Sequence, residues 1–214
     1  MIFDLSKTTS IANTFIAELR DEKIQLDAMR FRRNLERLGE FFALEISKTL
    51  TYVPVETVTP LGIANSQRLE TQPVLATILR AGLPMQQGLL NIFDRAEAAF
   101  ITAYRKNHIN GPLEIQVDAV SAPDLTDKVV IIADPMLATG LSMVRSCKEL
   151  IAQYKVKELH IVAAIASAEG IRHVRANLPL AKLWLGAIDE EMTSKSYIVP
   201  GLGDAGDLAY GTKL

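Results

Sequence analysis

The sequence predicts an α/β protein in which a central, mostly parallel β-sheet carries helices on both faces. Short apolar segments alternate with helix-compatible segments between residues 73 and 188. These apolar segments show little polar alternation, which is typical of strands covered on both sides. The chain has 214 residues, of which 49% are hydrophobic. That length and composition suit a single domain, 1–214, with a substantial core.

The individual elements follow from the spacing of apolar residues. Residues 10–20 and 25–49 are predicted as helices, and in the second of them apolar side chains recur at helical spacing between arginines. Tyr52–Val58 alternates and is predicted as an exposed strand. The remaining predictions are strands at Pro73–Leu79, Ala98–Tyr104, Val129–Ala133, Leu159–Ala166 and Lys182–Ile188, helices at Leu83–Phe93, Ser142–Tyr154 and Glu169–Asn177, and a hairpin arm at Leu113–Val120.

Charge and hydropathy exclude several classes of protein. A net charge of −2 offers no general attraction for nucleic acid or an anionic membrane, so neither partner is expected. The apolar runs are far shorter than the roughly 18 residues of a membrane span, and residues 1–7 lack a signal-peptide pattern. Cys147 is the only cysteine, which excludes an internal disulfide and makes the cytoplasm the expected location.

The segment 129–142 has the pattern of a phosphate-binding turn. An apolar strand stops at Asp134, a small-residue loop follows at 138–140, and a helix is predicted from Ser142. Backbone N–H groups and the helix dipole at such a turn can hold an anion. No Walker A motif is present. The alternative is an ordinary strand–turn–helix connection in which Asp134 is a turn residue and Ser142 caps the helix.

Two arginines follow neighbouring predicted strands. Arg80 begins Arg80-Ala-Gly82, and Arg105 follows Tyr104. Ligands of parallel sheets bind beyond the carboxyl ends of the strands, and a guanidinium can donate to two phosphate oxygens at once. Either arginine taken alone favours an ordinary surface position. Together, beside the turn at 134–142, they favour a polyphosphate site.

The tail from Tyr197 is rich in glycine and shows neither helical nor strand periodicity. Its Gly-x-Gly-x-x-Gly match at 201–206 is rejected as a dinucleotide motif, because too few residues follow for a helix and Pro200 interrupts the preceding strand. We expect a tight loop whose backbone contacts a small planar ligand, with Asp204 and Asp207 available to a cationic or hydroxyl partner. The alternative is a frayed C-terminus.

The remaining reactive side chains show no functional spacing. His108, His160 and His173 are scattered, and no protein metal site is expected. Structural roles are expected for His160, which lies just before a strand, and for Trp184 and Cys147, which lie in apolar surroundings.

Four segments together resemble the uracil phosphoribosyltransferase family over nearly the whole chain. They are Leu79-Arg-Ala-Gly-Leu83, Tyr104-Arg105, Asp134-Pro-Met-Leu-Ala-Thr-Gly140 and Tyr197-Ile-Val-Pro-Gly-Leu-Gly-Asp-Ala-Gly-Asp207. The resemblance implies a type I phosphoribosyltransferase fold with a small C-terminal hood. It also implies a pyrimidine-salvage reaction that joins uracil to 5-phosphoribosyl-1-diphosphate, giving UMP and diphosphate.

Residue roles are also implied by this resemblance. Arg105 and Asp204 would act in catalysis, and Asp204 would in addition contact the donor. Mg²⁺ would be held mainly by the donor, GTP is a candidate effector, and a homodimer or higher oligomer is expected. The implied donor-binding residues are Arg80, Arg105, Asp134, Pro135, Met136, Leu137, Ala138, Thr139, Gly140, Leu141, Ser142 and Asp204. The implied uracil-binding residues are Ile198, Gly203, Asp204 and Ala205.

The chain departs from the family pattern at three positions. Leu141 stands where the family usually has a second glycine, Leu208 where it usually has a basic residue, and Tyr210 where it usually has Phe. A leucine with positive φ would cost roughly 1–2 kcal/mol. These departures leave two alternatives open: transfer to another base, and a catalytically weak or silent homologue that binds nucleotides as a regulator.

Overall fold

The structure is a computed structural model that describes residues 1–106 and 114–212, and the side chains of all of these except 104–106 and 114–116. The strands are β1 (Ile2–Asp4), β2 (Tyr52–Thr59), β3 (Gly62–Leu69), β4 (Val74–Leu79), β5 (Glu97–Lys106), β6 (Glu114–Ser121), β7 (Val129–Ala133), β8 (Met136–Leu137), β9 (Glu158–Ser167), β10 (Lys182–Asp189), β11 (Glu191–Met192) and β12 (Ile198–Val199). The helices are α1 (Ile11–Arg20), α2 (Ala28–Ser47), α3 (Leu83–Ile92), α4 (Leu141–Gln153), α5 (Ala168–Asn177) and α6 (Ala205–Tyr210). Short 3-10 turns at Leu5–Lys7 and Ile24–Leu26 precede α1 and α2.

The central sheet places the predicted loops at one edge. Its strand order is β1-β10-β9-β7-β4-β5-β6, with β8 paired to β9. The pairings are parallel except for β5 with β6, which is antiparallel. The carboxyl ends of β4, β5 and β7 therefore lie side by side, and the turns that follow β4 and β7 start from neighbouring strands.

Two apolar layers cover the sheet. One is formed by α1, α2 and α3, and its buried cluster includes Leu35 and Phe42 of α2 and Trp184 of β10. The other is formed by α4 and α5, with Cys147 and Val174 in its centre. Burial of both faces explains the continuous apolar strands of the sequence. The predicted α/β class with a mostly parallel sheet is confirmed.

The predicted elements are confirmed within a few residues, but the strands β1, β3, β8 and β11 were not predicted. The arm predicted at Leu113–Val120 is β6, although Leu113 lies outside the described residues. A second hairpin, β2–β3, pairs two largely exposed strands. Its second strand escaped prediction because the polar residues of Gly62–Leu69 do not alternate with apolar ones.

The prediction of a tail without secondary structure is wrong. β12 pairs antiparallel with β11, and α6 follows from Ala205. A helix does form here, contrary to expectation, because α6 has only six residues and begins at Ala205, before the last glycine of the match. Since β12 pairs with β11 outside the central sheet, the strand–turn–helix unit of a dinucleotide motif is still not formed here.

The expected structural residues lie in the core. His160 is buried, and its Nδ1 accepts a hydrogen bond of 2.9 Å from Trp184 Nε1. Cys147 is also buried, which raises the pKa of its thiol to about 12. His108 lies outside the described residues. Within residues 1–106 and 114–212, the helices are all too short or too polar to cross a membrane.

Candidate functional site

A cleft of about 180 Å³ opens at the carboxyl edge of the sheet. Its walls come from two distant parts of the chain, the loop after β7 and the C-terminal hood, which we define as residues 191–211. The lining residues are Ala81, Asp134, Met136, Leu137, Ala138, Thr139, Gly140, Ser142, Met143, Ser196, Tyr197, Ile198, Gly203, Asp204, Ala205 and Gly206. The structure thus brings most of the predicted donor-binding residues together with all four predicted uracil-binding residues.

The loop after β7 forms the first wall, which we call the donor loop (134–142). β8 pairs with β9, so the loop continues beside the sheet before it turns into α4. The turn is made by Gly140, which precedes α4 with φ 76°. A side chain at Gly140 would be strained at this φ, and its Cβ would lie 2.9 Å from the Gly170 carbonyl oxygen. The N-terminus of α4 therefore faces the cleft with backbone donors, as an anion site requires.

Leu141 does not carry the strain that a positive φ would impose. Among the described residues other than glycine, positive φ occurs at Asp127 and Ser196. The left-handed position is Gly140, and Leu141 is the first residue of α4. The missing second glycine therefore causes no backbone strain at this turn.

Within the donor loop, the predicted donor residues Pro135 and Leu141 do not line the cleft. Pro135 is buried, and its carbonyl accepts a 3.0 Å hydrogen bond from Ile165 N–H in β9. Pro135 therefore anchors the donor loop to the sheet.

The N-terminus of α5 packs against the backbone of the donor loop. Ser167 Oγ donates to the Ala138 carbonyl at 2.5 Å and accepts from Gly170 N–H at 2.8 Å. A Cβ on Gly170 would lie only 2.4 Å from the Ala138 oxygen and 2.6 Å from the Leu137 oxygen. Ser167 and Gly170 are functional residues that sequence patterns did not reveal. The sequence signal that could have identified these two residues is a serine at a helix N-cap position followed by a glycine in the first turn of that helix.

Arg80 contacts the hood instead of lining the cleft. Its Nη2 donates to the Gly211 carbonyl at 3.1 Å and lies 3.6 Å from Asp207 Oδ1. The guanidinium is partly exposed, so an ion pair at this distance contributes little stability by itself. Arg105 lies in β5, the strand next to β4, but its side chain is outside the described ones.

Asp204 has a defined place in the hood. Its Oδ1 accepts backbone hydrogen bonds from Gly206 at 2.9 Å and from Asp207 at 3.0 Å, so it is the N-cap of α6. The residue is exposed and lines the cleft. Asp204 therefore caps α6 and also lies where a ligand in the cleft can contact it.

Three arginines hold backbone carbonyls of the hood. Arg20 donates to Gly201, Arg32 of α2 donates to Ala209 at 2.6 Å, and Arg80 donates to Gly211. Sequence reasoning missed Arg20 and Arg32, because local periodicity carries no information on contacts of this range.

Arg20 belongs to a network that includes Asp189. Two hydrogen bonds of 2.8 Å join the Arg20 guanidinium to the Asp189 carboxylate. Gly201 N–H donates to Asp189 Oδ2 at 2.9 Å, and the Gly201 carbonyl accepts from Arg20 Nη1 at 2.9 Å. Burial raises the pKa of Asp189, but the hydrogen bonds from Arg20 and Gly201 outweigh this and hold the pKa below its ordinary value. The carboxylate is therefore ionised at neutral pH.

A parallel sheet with a phosphate-type turn and a separate hood defines a phosphoribosyltransferase of the type I class. The same fold occurs in a solved structure of adenine phosphoribosyl transferase from Trypanosoma brucei, with a TM-score of 0.50 and 10% identity over 80% of this chain and 69% of that one. A structure from Aquifex aeolicus matches with a TM-score of 0.89 and 28% identity, and 100% of each chain is covered.

Sequence comparison identifies the family. A model of uracil phosphoribosyltransferase matches residues 6–212. The uracil phosphoribosyltransferase of Porphyromonas gingivalis is 48% identical over 214 residues, covering 100% of this chain and 99% of the relative. That of Thermococcus gammatolerans is 36% identical, covering 93% and 88% respectively. The chain belongs to the uracil phosphoribosyltransferase family.

Proposed function

We propose that this chain transfers the phosphoribosyl group of 5-phosphoribosyl-1-diphosphate to uracil, giving UMP and diphosphate in pyrimidine salvage. The observation that carries the proposal is the shared cleft, which has the donor loop on one wall and the hood on the other. A transferase needs two substrates in one site with their reacting atoms adjacent, and this arrangement supplies the proximity term of catalysis.

The donor loop is the proposed site of the 5′-phosphate. Backbone N–H groups at the start of α4 and the hydroxyls of Thr139 and Ser142 can donate to its oxygens. Thr139 Oγ1 lies 3.4 Å from Leu141 N, which holds this hydroxyl at the helix start. Asp134, at the end of β7, would accept hydrogen bonds from the ribose hydroxyls.

Arg80 and Arg105 are the proposed partners of the diphosphate. Breaking the bond between the anomeric carbon and the diphosphate oxygen leaves the electron pair on that oxygen, so nearby cations stabilise the transition state. Mg²⁺ bound to the diphosphate would neutralise part of the same charge. Asp134 and Asp204 line the cleft and could complete its coordination with the donor's oxygens.

The hood is the proposed uracil site, through Ile198, Gly203, Asp204 and Ala205. Uracil presents alternating carbonyl and N–H groups, which backbone groups can match. Cytosine would leave buried groups unpaired, at about 1–3 kcal/mol for each group. As the new bond from the base nitrogen to the anomeric carbon forms, that nitrogen must lose its proton, and Asp204 is the proposed acceptor because its carboxylate lines the cleft.

The decisive experiment measures diphosphate release by the purified protein with Mg²⁺ and the donor. We expect release with uracil and a rate with cytosine that is lower by about 5- to 150-fold for each unpaired group, since each such group costs about 1–3 kcal/mol. Adenine and hypoxanthine complete the panel. Release with another base but not with uracil would identify a different base specificity. UMP binding without any release would identify a nucleotide-binding regulator instead.

Further proposals concern assembly, effector, domain and location. We infer a homo-oligomer, dimer or higher, because the β2–β3 hairpin exposes Val58, Leu61 and Ile63 at its tip. Light scattering after size exclusion measures the oligomeric state.

GTP activation rests on the resemblance and is tested by adding GTP to the release assay. A single domain over 1–214 and a cytoplasmic location are also proposed, the latter from the lone buried thiol of Cys147.

A further inference from the structure

Gly201 is one of the three places at which an arginine from outside the hood holds its backbone. Its N–H and its carbonyl are both engaged, by Asp189 and Arg20 respectively. Arg20 ends α1 and Asp189 ends β10, so both partners belong to elements packed on the core. The two peptide planes that flank Gly201 therefore have their orientation set by residues outside the hood.

The position of Gly201 makes this orientation important. It lies three residues after Ile198 and two residues before Gly203, and both of these line the cleft. A backbone that recognises a base must orient each N–H and carbonyl group toward its hydrogen-bond partner on the base. Groups that already have this orientation need no reorganisation when the ligand binds. A rotation of the peptides at Gly201 would turn the groups on both sides of it away from the base.

We propose that Arg20 and Asp189 are positioning residues that set the affinity of the hood for the base, while leaving the donor loop unaffected. The inference rests on the proposed function and adds a specificity role to two side chains that line no part of the cleft. Neither residue contacts the donor loop through the hydrogen bonds described here, so their effect should be confined to the base side.

A second ion pair provides a matched control. Arg30 of α2 makes two hydrogen bonds to Glu18 of α1, from Nε at 2.9 Å and from Nη2 at 2.5 Å. This ion pair is also bidentate, and it joins α1 to α2 in the same helical layer. Its hydrogen bonds among the described residues do not include the hood. A general loss of rigidity in α1 would therefore appear in Arg30→Lys as well.

The experiment compares the affinities of UMP and ribose 5-phosphate by calorimetry. Their ratio reports the contribution of the base, since both carry the same sugar phosphate. In Asp189→Asn and Arg20→Lys we expect UMP affinity to fall about tenfold, the order of one lost hydrogen bond to a charged group. Ribose 5-phosphate affinity should change less than about twofold. Arg20→Ala should lose more than Arg20→Lys, because lysine can still donate to one of the two partners.

Each outcome supports or overturns the inference. Unchanged UMP affinity in both variants, an equal loss for UMP and ribose 5-phosphate, or the same loss in Arg30→Lys would overturn it. If Asp189→Asn does not fold, Arg20→Lys alone decides. If wild-type protein binds UMP no better than ribose 5-phosphate and releases no diphosphate with uracil, both the proposed function and this inference are overturned.

Discussion

Asp134→Asn is expected to lower the rate of diphosphate release with uracil by about 10²-fold, with the fold intact. Asp134 lies at the end of β7 and lines the cleft beside the donor loop. Departure of diphosphate develops positive charge on the sugar, and a carboxylate at this place both accepts the ribose hydroxyls and stabilises that charge. Asparagine keeps the shape, but it loses the charge and presents an NH₂ group where an acceptor is needed.

The measurement is kcat in the release assay, with circular dichroism as the check on folding. Asp94→Asn is the control, because Asp94 is an exposed aspartate that precedes β5 at the opposite edge of the sheet. It removes the same charge and should leave kcat unchanged. A wild-type kcat in Asp134→Asn would refute the assignment of this residue to the donor site.

Gly170→Ala is expected to raise the KM for the donor about tenfold or more and to lower the free energy of unfolding by about 1–3 kcal/mol. The new methyl carbon would lie 2.4 Å from the Ala138 oxygen and 2.6 Å from the Leu137 oxygen. Both atoms belong to the backbone of the donor loop, so the loop must move. The hydrogen bond from Ser167 to the Ala138 carbonyl would be strained by the same movement.

Steady-state kinetics with varied donor and a urea unfolding curve test this expectation. Arg172→Ala serves as the control, since Arg172 is exposed on the same helix and its loss should alter neither quantity appreciably. An unchanged donor KM in Gly170→Ala would show that the donor loop does not hold the phosphate, whatever happens to stability.

The two walls of the cleft differ in how far sequence predicts them. Val129–Ala133 was predicted with the bounds that β7 has, because a short apolar run has few other solutions within an α/β pattern. The tail from Tyr197, which forms most of the hood, was predicted as a loop, yet it contains β12 and α6. Both are too short to show a period, and the start of α6 is capped by the Asp204 side chain.

The same limit applies to individual residues. Leu141 stood out as a departure from the family, but the left-handed turn falls one residue earlier, on Gly140. Arg80 was predicted as part of a polyphosphate site from its place after a strand, and the structure adds its contacts with Gly211 and Asp207. The backbone angle of one residue and the partner of a long side chain are set by packing, which local sequence does not encode.

By itself, the sequence determined the fold class, the phosphate-type turn and the family, because the period of apolar residues records which faces are buried and because motifs are local. Tertiary structure alone decided how the hood is held beside the donor loop to form the cleft. The Arg20–Asp189 pair joins residues 169 positions apart, and the Arg20 bond to Gly201 spans 181 positions. Hydrogen bonds of that range depend on where folded elements end in space, so only the packed molecule reveals that the hood is held from outside.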